Sequence, residues 1–417
     1  MLFARFVKTF LKKGQLTIID ADGRTHRCGD PATGPTVAIR LHDPSLHRKL
    51  LLNPRLCLGE AYMDGTLTVE HSSIYDFLDL FGRNVGTGTM NALDRWATKA
   101  RMLWRYPTQF NLLRKARQNA ALHYDLSGEL YKLFLDSDLQ YSCAYFSTPD
   151  ASLEAAQAAK KRHIAAKLLL KPGQRVLDIG SGWGGLGLYL AEIACVDVTG
   201  VTLSFEQHKV SNQWAAERGL SDRVRFHLRD YRQETGRYDR IVSVGAFEHV
   251  GLPHYRAFFG KVAELLTDNG VALLHTISHM DPPYPTNPWL EKYIFPSSYT
   301  PALSEFLPVI ERVGLWVTDV EILRLHYAET LRHWRERFMS NWDKAAALYD
   351  ERFCRMWEFY LAGCEMVFRR QGHMNAQIQL AKSVDSVPLT RDYIGEWERQ
   401  QTTAASAPEE LHLKSVG

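Results

Sequence analysis

Apolar positions after residue 150 follow two spacings that alternate along the chain. A helical pattern covers 152–170 and ends at Lys171-Pro172-Gly173. Apolar runs typical of buried strands follow, with helical patterns between most of them, at 175–179, 197–201, 224–228, 238–244 and 270–276. This alternation predicts an α/β fold with a doubly wound, mostly parallel sheet. We expect its ligand beyond the carboxyl ends of the strands.

The first 85 residues have a different pattern. Strand-like runs at 16–19 and 37–41 lie between turns rich in Gly, Pro and Asp, which predicts a smaller α+β domain over 1–85. Ahead of them, residues 2–13 form an amphipathic pattern with Phe3, Phe6 and Val7 on the apolar side and Arg5, Lys8 and Lys12 opposite. Such a helix suits an anionic membrane surface, and it equally suits packing on its own domain.

The stretch 86–122 is basic and is predicted to be a helical linker. Its cations stand among Trp96, Trp104, Tyr106 and Phe110, and they are Arg95, Lys99, Arg101, Arg105, Arg114, Lys115 and Arg117. Cations interleaved with Trp and Tyr suit a lipid headgroup layer, and a solvated linker helix explains the composition as well. At the other end of the chain, the polar stretch 399–417 is predicted to be a disordered tail.

Composition narrows the class of protein. The chain has 417 residues, 45% of them hydrophobic and 23% charged, which is typical of a globular protein. A net charge of +3 argues against a general nucleic-acid binder. The six cysteines form no CxxC pair and have no zinc spacing, so we expect reduced thiols and no metal site. Without a long apolar run or a signal peptide, the expectation is a cytoplasmic protein.

The decapeptide 176–185 (VLDIGSGWGG) carries the first chemical signal. An apolar strand runs into a turn dense in glycine, where a ligand can approach the backbone closely. The phosphate-binding pattern G-x-G-x-x-G is not met, and Asp178 at the strand end would repel a pyrophosphate. A carboxylate beside Gly180 and Gly182 suits a cationic ligand. The segment resembles motif I of the S-adenosylmethionine-dependent methyltransferases, whose ligand carries a sulfonium.

The next two predicted strands end in residues suited to a nucleoside. Thr202, Ser204 and Gln207 follow the second strand and can replace the acidic residue that usually binds ribose hydroxyls, although Ser204 also suits a helix N-cap. Asp230 and Tyr231 follow the third strand. Asp230 is placed to accept from an adenine amino group, with Tyr231 near the ring.

Five further motifs stand in order along the chain: 123–127 (HYDLS), 141–146 (YSCAYF), 245–251 (GAFEHVG), 274–277 (LHTI) and 292–296 (KYIFP). Together they closely resemble the cyclopropane-fatty-acyl-phospholipid synthases, and the mycolic acid cyclopropane synthases share much of the pattern. The resemblance is strong over 110–395. The stretch 59–65 (GEAYMDG) resembles the accessory domain of the phospholipid-acting branch.

This resemblance implies a seven-stranded, Rossmann-like methyltransferase sheet in a catalytic domain over 123–398. It implies S-adenosylmethionine as the methyl donor, with Tyr141 and Ser142 closing over it. Methyl transfer to a cis alkene leaves a carbocation, which needs an apolar, aromatic surrounding that excludes water. Five aromatic side chains are candidates for that surrounding: Tyr145, Phe146, Trp183, Phe247 and Tyr293.

The resemblance also implies a bound bicarbonate ion as the general base. Its expected cradle consists of Glu248, His275, Tyr327 and the main chains of Cys143 and Ile277. Cys364 matches a cysteine once assigned to the active site of this family. The helical pattern over 357–368 places Cys364 on the apolar side, which favours a buried structural thiol.

The predicted function is transfer of a methylene unit to the cis double bond of an unsaturated acyl chain in a membrane phospholipid. The enzyme is expected at the inner membrane surface, with the N-terminal domain docking to the membrane or supporting a homodimer. Alternatives are a 10-methyl or 10-methylene fatty-acid methyltransferase, a small-molecule methyltransferase, and a non-catalytic lipid-binding module. The intact cradle argues against the last.

Overall fold

The computed structural model describes residues 2–85, 98–102, 109 and 128–406. The N-terminal part is an α+β unit built on a four-stranded sheet in the order β2-β1-β3-β4. Its strands are β1 (Gly14–Ile19), β2 (Thr25–Asp30), β3 (Thr36–Leu41) and β4 (Leu67–Glu70). Its helices are α1 (Leu2–Phe10), α2 (Leu46–Leu52), α3 (Pro54–Met63) and α4 (Ile74–Gly82).

The apolar side of α1 packs on its own domain. Phe3 and Val7 are buried in one hydrophobic cluster with Leu16 and Ile39 from the sheet, whereas Leu2 remains 67% exposed. Packing of α1 on its own domain therefore accounts for its buried side chains.

The larger domain contains a seven-stranded sheet in the order β10-β11-β9-β8-β5-β6-β7. The strands from β9 to β7 in this order are parallel, and β11 pairs antiparallel with both β9 and β10. Their bounds are β5 Arg175–Ile179, β6 Asp197–Thr202, β7 Val224–Leu228, β8 Tyr238–Val244, β9 Leu266–His279, β10 Trp316–Leu323 and β11 His373–Ala381. The predicted doubly wound, mostly parallel sheet is confirmed.

Helices cover both faces of this sheet and continue beyond it. They are α5 (Gly128–Lys132), α6 (Leu153–Leu168), α7 (Gly185–Ala194), α8 (Phe205–Glu217), α9 (Tyr255–Leu265), α10 (Pro288–Tyr293), α11 (Leu303–Arg312), α12 (His326–Ser340), α13 (Trp342–Leu348), α14 (Glu351–Arg370) and α15 (Asp392–Ser406). No helix in the described part of the chain is long and apolar enough to cross a membrane.

The long helix α14 joins the two parts of the molecule. It packs against α3 and α4 on one side and against α12 on the other. At this contact Tyr62 donates to Glu358 across 2.5 Å, and Arg370 pairs with Asp79 across 2.6 Å. The N-terminal helices are therefore held beside the helices that follow the sheet.

Two predicted segments differ from the structure or lie outside it. The helix α15 continues to Ser406, so 399–406 is helical where the sequence predicted disorder, and 407–417 lies outside the described residues. This helix is held because Glu398 contacts His163 of α6 across 2.7 Å. Of the predicted basic linker, only 98–102 and 109 are described, and the motif 123–127 lies outside the description as well.

Candidate active site

A pocket of about 200 Å³ lies beyond the carboxyl ends of β5, β6, β7 and β8, and we call it the glycine-turn pocket. Its lining brings together every residue that the sequence suggested for the methyl donor: Tyr141, Ser142, Asp178, Gly180, Gly182, Thr202, Ser204, Gln207, Asp230 and Tyr231. The sheet explains this convergence, because neighbouring parallel strands end at the same edge.

The turn after β5 requires glycine at two positions. Gly180 and Gly182 have φ angles of +80° and +54°, in the left-handed region that side chains disfavour. A Cβ atom on Gly180 would lie 2.5 Å from that of Ala246, whereas one on Gly182 would meet nothing within 4 Å. The bare backbone of Gly182 therefore leaves open space at the turn where a ligand can approach.

Asp178 is the buried acidic group of this pocket. Its side chain is 1% exposed, and among the described residues neither its Oδ2 atom nor the hydroxyl of neighbouring Ser181 has a hydrogen-bond partner. Burial raises the pKa of Asp178 to about 7, and the charge of Lys160 opposes that shift. A cationic group with N–H donors fits both unpartnered oxygens.

The residues after β6 are already hydrogen-bonded to one another. Thr202 donates its hydroxyl proton to the side-chain oxygen of Gln207 across 2.9 Å. The Ser204 hydroxyl accepts from the backbone N–H of Gln207 across 3.3 Å and caps α8. The N-cap role of Ser204 and its place in the pocket lining therefore coexist.

Asp230 has a partner that sequence reasoning missed. Arg232 donates to both of its carboxylate oxygens across 2.8 Å, and Arg232 and Arg229 also line the pocket. An adenine amino group would therefore share Asp230 with a guanidinium. Tyr231 packs edge-to-face on Phe258, with 5.3 Å between the ring centroids.

A second space of about 340 Å³, the central cavity, adjoins the glycine-turn pocket. It contains all the residues suggested for the base and its surroundings: Cys143, Glu248, His275, Ile277, Tyr327 and Cys364. The N-terminal domain supplies part of its wall through Leu58, Leu78 and Phe81. Sequence patterns gave no signal for that contribution, because it depends on how α3 and α4 pack against α14.

Glu248 and His275 are buried polar groups in the lining of the central cavity. Glu248 is 6% exposed, and its Oε1 atom accepts from the Ile277 backbone N–H across 2.6 Å. Burial raises the pKa of Glu248 and holds that of His275 well below its ordinary value. Within the described part of the chain, Oε2 of Glu248 and Nε2 of His275 have no hydrogen-bond partner. A small anion that can also donate a proton fits this pair of atoms.

The remaining predicted cradle residues lie in the same wall. The Cys143 thiol donates to the Ala144 carbonyl across 3.3 Å, and burial raises its pKa. The ring of Tyr327 packs edge-to-face on Trp334, with 5.9 Å between centroids. Burial also raises the pKa of Cys364 to about 12, so this thiol is protonated at neutral pH.

Four of the five aromatic candidates for the carbocation surrounding line neither of the two spaces. Tyr145 stacks between His163 and His326, Phe146 stacks on His333, Phe247 is buried in the core, and the Tyr293 hydroxyl donates to Glu60. Trp183 lines the glycine-turn pocket. The rings that line the central cavity come from several helices and loops: Phe81, Tyr141, Tyr284, Trp289, Phe295, Tyr327, Phe359, Tyr360 and Phe368.

The two spaces share one wall. Tyr141, Ser142, Gly245 and His249 line both of them. The Tyr141 hydroxyl is 2.8 Å from that of Tyr360, which ties this wall to α14. The arrangement places the glycine-turn pocket directly beside a largely apolar cavity whose lining includes the buried Glu248 and His275.

The same fold occurs in a solved structure of mycolic acid cyclopropane synthase complexed with SAH (S-adenosylhomocysteine) and CTAB. The two chains are 36% identical, and the match covers 64% of this chain and 98% of the solved one, with a TM-score of 0.61. The fold and the glycine-turn pocket define an S-adenosylmethionine-dependent methyltransferase, an enzyme.

Residues 112–378 match the family of mycolic acid cyclopropane synthetases, and 6–87 match a domain of unknown function. Cyclopropane-fatty-acyl-phospholipid synthase of Escherichia coli (strain K12) is 38% identical over 86% of this chain and 92% of its own length. Tuberculostearic acid methyltransferase of Mycobacterium tuberculosis is 34% identical over 85% of this chain and 84% of its own. The chain belongs to the mycolic acid cyclopropane synthetase family.

Proposed function

We propose that this enzyme transfers a methylene unit from S-adenosylmethionine to the cis double bond of unsaturated acyl chains in membrane phospholipids, closing a cyclopropane ring. The observation that carries the proposal is the wall shared by the glycine-turn pocket and the apolar central cavity. The similarity to the Escherichia coli phospholipid synthase supports the substrate class.

S-adenosylmethionine, when bound, supplies an electrophilic methyl group. The polar end of S-adenosylmethionine would be held by Asp178 and Ser181, whose side-chain oxygens include atoms without a hydrogen-bond partner in the described part of the chain. The open backbone at Gly182 would let the ligand approach. Thr202, Gln207 and Asp230 would hold the nucleoside. The wall containing Tyr141 and Ser142 would then keep the donor and the alkene at adjacent positions, which is the main requirement for a weak nucleophile.

The central cavity would bind the acyl chain and protect the cation that methyl transfer leaves on it. Aromatic ring faces stabilise positive charge and exclude water, and Tyr141, Phe295, Tyr327 and Tyr360 line the same cavity as Glu248 and His275. Here Cys364 is a lining group, since its protonated thiol has no part in attack by the alkene.

Bicarbonate, when bound, supplies a small base for the proton that must leave before the ring closes. His275 would donate to it through Nε2, and the bicarbonate hydroxyl would donate to Oε2 of Glu248, because neither atom has a hydrogen-bond partner among the described residues and burial favours a neutral imidazole. The fit of these two atoms supports the proposed base. Activity that is independent of bicarbonate in carbonate-free buffer would contradict it.

A 10-methylene or 10-methyl product is the second candidate, since the tuberculostearic acid methyltransferase is also similar over most of this chain. Both candidates start with methyl transfer to the same alkene. Both then lose a proton from the new methyl group: loss with the cation on the neighbouring carbon closes a ring, whereas a 1,2-hydride shift to that carbon before the loss leaves a methylene group. A 10-methyl product also requires a separate reductant for that alkene.

The test is product analysis with purified enzyme, S-adenosylmethionine and vesicles of a monounsaturated phosphatidylethanolamine. Proton NMR separates the shielded ring methylene of a cyclopropane from the vinylic protons of a methylene product. Glu248→Gln should abolish product, and Asp268→Asn, an exposed carboxylate outside both spaces, is the matched control. Vinylic product, or product from free fatty acid alone, would overturn the proposal.

A further inference from the structure

A lysine that neither motif nor resemblance singled out lies beneath the shared wall. Lys160 of α6 is fully buried, and its ammonium donates to the side-chain oxygen of Gln140 across 2.7 Å and to the Ser142 hydroxyl across 2.8 Å. Neither hydrogen-bond partner is charged, and the buried carboxylate of Asp136 acts on Lys160 through space without a hydrogen bond among the described contacts. Burying an ammonium on neutral acceptors is costly, so the arrangement calls for a reason.

The contact is reinforced one turn earlier on the same helix. The side-chain amide of Gln157 donates to the backbone carbonyls of Gln140 and Ser142, each across 3.1 Å. Lys160 and Gln157 are spaced i, i+3, so both reach the segment 140–142 from one helix face. That segment carries Tyr141 and Ser142, which line both the glycine-turn pocket and the central cavity.

The charge of Lys160 also acts on both spaces. Burial causes the main pKa shift of two groups, and Lys160 opposes the rise for Asp178 in the glycine-turn pocket and adds to the fall for His275 in the central cavity. Lys160 therefore favours an ionised Asp178 and a neutral His275. An ionised Asp178 suits a cationic methyl donor in the glycine-turn pocket. A neutral His275 can donate a hydrogen bond to an anion in the central cavity.

We propose that Lys160 is a positioning residue for methyl transfer, holding the wall between donor and alkene through Ser142 and Gln140 and supplying positive potential to both sides of it. This role rests on the proposed division of donor and acyl chain between the two spaces. Perturbed buried cations concentrate at functional sites, and the geometry given above assigns this one to a specific wall.

Lys160 also makes the wall sensitive to alkaline pH. Burial lowers its pKa to about 8, and the surrounding groups modulate that value: Asp136, Asp138 and Cys143 raise it, and Lys161 lowers it further. As pH rises through 8, the ammonium loses one donor and its charge. Activity should therefore fall on an alkaline limb with a midpoint near 8.

The test compares Lys160→Met with Lys171→Met, an exposed lysine just beyond the end of α6. The readout is the rate of S-adenosylhomocysteine formation, with kcat and KM for S-adenosylmethionine determined from pH 6.5 to 9.5. Lys160→Met should lower kcat/KM by about tenfold or more, the scale of a lost charged hydrogen bond. It should also lose the alkaline limb, and Lys171→Met should stay within about twofold of wild type.

If Lys160→Met fails to fold, the pH profiles of Lys160→Arg and of the wild type still test the proposed role of Lys160. Arg keeps its charge, so this variant should extend activity above pH 8. A wild-type profile that is flat through pH 9.5, or a folded Lys160→Met with unchanged kcat, KM and pH profile, would overturn the role of Lys160. Because S-adenosylhomocysteine is counted whatever lipid product forms, failure of the proposed ring closure would leave this result interpretable.

Discussion

The side-chain amide of Gln377 lies 3.1 Å from Nδ1 of His275, across the paired strands β11 and β9. An amide N–H can only donate, so Nδ1 accepts and the ring proton resides on Nε2. Because burial keeps the pKa of His275 well below its ordinary value, the ring is neutral. His275 therefore presents a fixed N–H toward the central cavity, which is what an anion there requires.

Replacing Gln377 by Glu should reverse this tautomer. A carboxylate accepts from Nδ1–H, leaving Nε2 as an acceptor that repels an anion or raising the pKa of His275. We expect kcat to fall by about tenfold or more, with a smaller loss in Gln377→Met, which removes the donor without adding charge. Steady-state kinetics and ¹⁵N shifts of the imidazole would measure this. Wild-type kcat and an Nε2–H tautomer in Gln377→Glu would contradict it.

Asp178 should make stability depend on pH. Burial raises its pKa in the folded protein to about 7, above the value of 3.8 expected in the unfolded chain. As pH rises, Asp178 loses its proton in the unfolded chain at a lower pH than in the folded protein. The contribution of Asp178 to the free energy of unfolding is therefore lost as pH rises from about 4 to 7. Asp178→Asn removes the loss, so it should stabilise the protein at pH 8 more than at pH 5, by about 3 kcal/mol.

Denaturant unfolding at the two pH values would measure this difference, and calorimetry would report the binding of S-adenosylmethionine. Asp197→Asn, an exposed carboxylate at the start of the next strand, is the matched control and should show no such difference. Asp178→Asn should bind the donor more weakly in spite of its added stability. Equal stability gains at pH 5 and pH 8 would argue against the raised pKa.

Four of the five strands of the parallel sheet could be predicted to within one residue, because each is a short apolar run between turns. The strand β9 begins four residues before and ends three residues after the predicted run 270–276. The runs at 175–179, 224–228 and 238–244 coincide with β5, β7 and β8. By contrast, β10 and β11 were not identified as runs. The edge strand β10 carries exposed and half-buried side chains, so its sequence has no continuous apolar stretch.

Site residues at strand ends were predictable from motifs, whereas those that depend on packing between distant elements were not. Arg232, Gln377 and the α3–α4 lining belong to the second kind. Helical periodicity does indicate that Lys160 is buried, because it lies on the same face of α6 as buried Leu153, Ala156 and Ile164. A lysine on an apolar helix face indicates a buried polar contact, but its partner depends on the fold.

Cys364 should be replaceable. Its pKa near 12 leaves almost no thiolate at neutral pH, and its side chain only lines the central cavity. We expect Cys364→Ala to keep activity within about threefold. Cys364→Phe should lower it by more, because a ring would fill space needed by the acyl chain. Product formation on vesicles measures both, and complete loss in Cys364→Ala with intact folding would reinstate a chemical role for the thiol.

The helix α1 allows stability and membrane binding to be tested separately. Phe3 is 4% exposed and packs in the N-terminal core, whereas Leu2 is 67% exposed on the same helix. Phe3→Ala should destabilise the N-terminal domain by about 3 kcal/mol, and Leu2→Ala should change stability by less than about 0.5 kcal/mol. Denaturant midpoints would measure both, and a Phe3→Ala midpoint equal to wild type would contradict the packing of α1.

Deleting residues 1–13 would mix both effects, because it removes core side chains together with any lipid contact. Vesicle flotation of Leu2→Asp is the cleaner measurement: unchanged flotation in that stable variant would mean that α1 serves its own domain and that another surface meets the membrane.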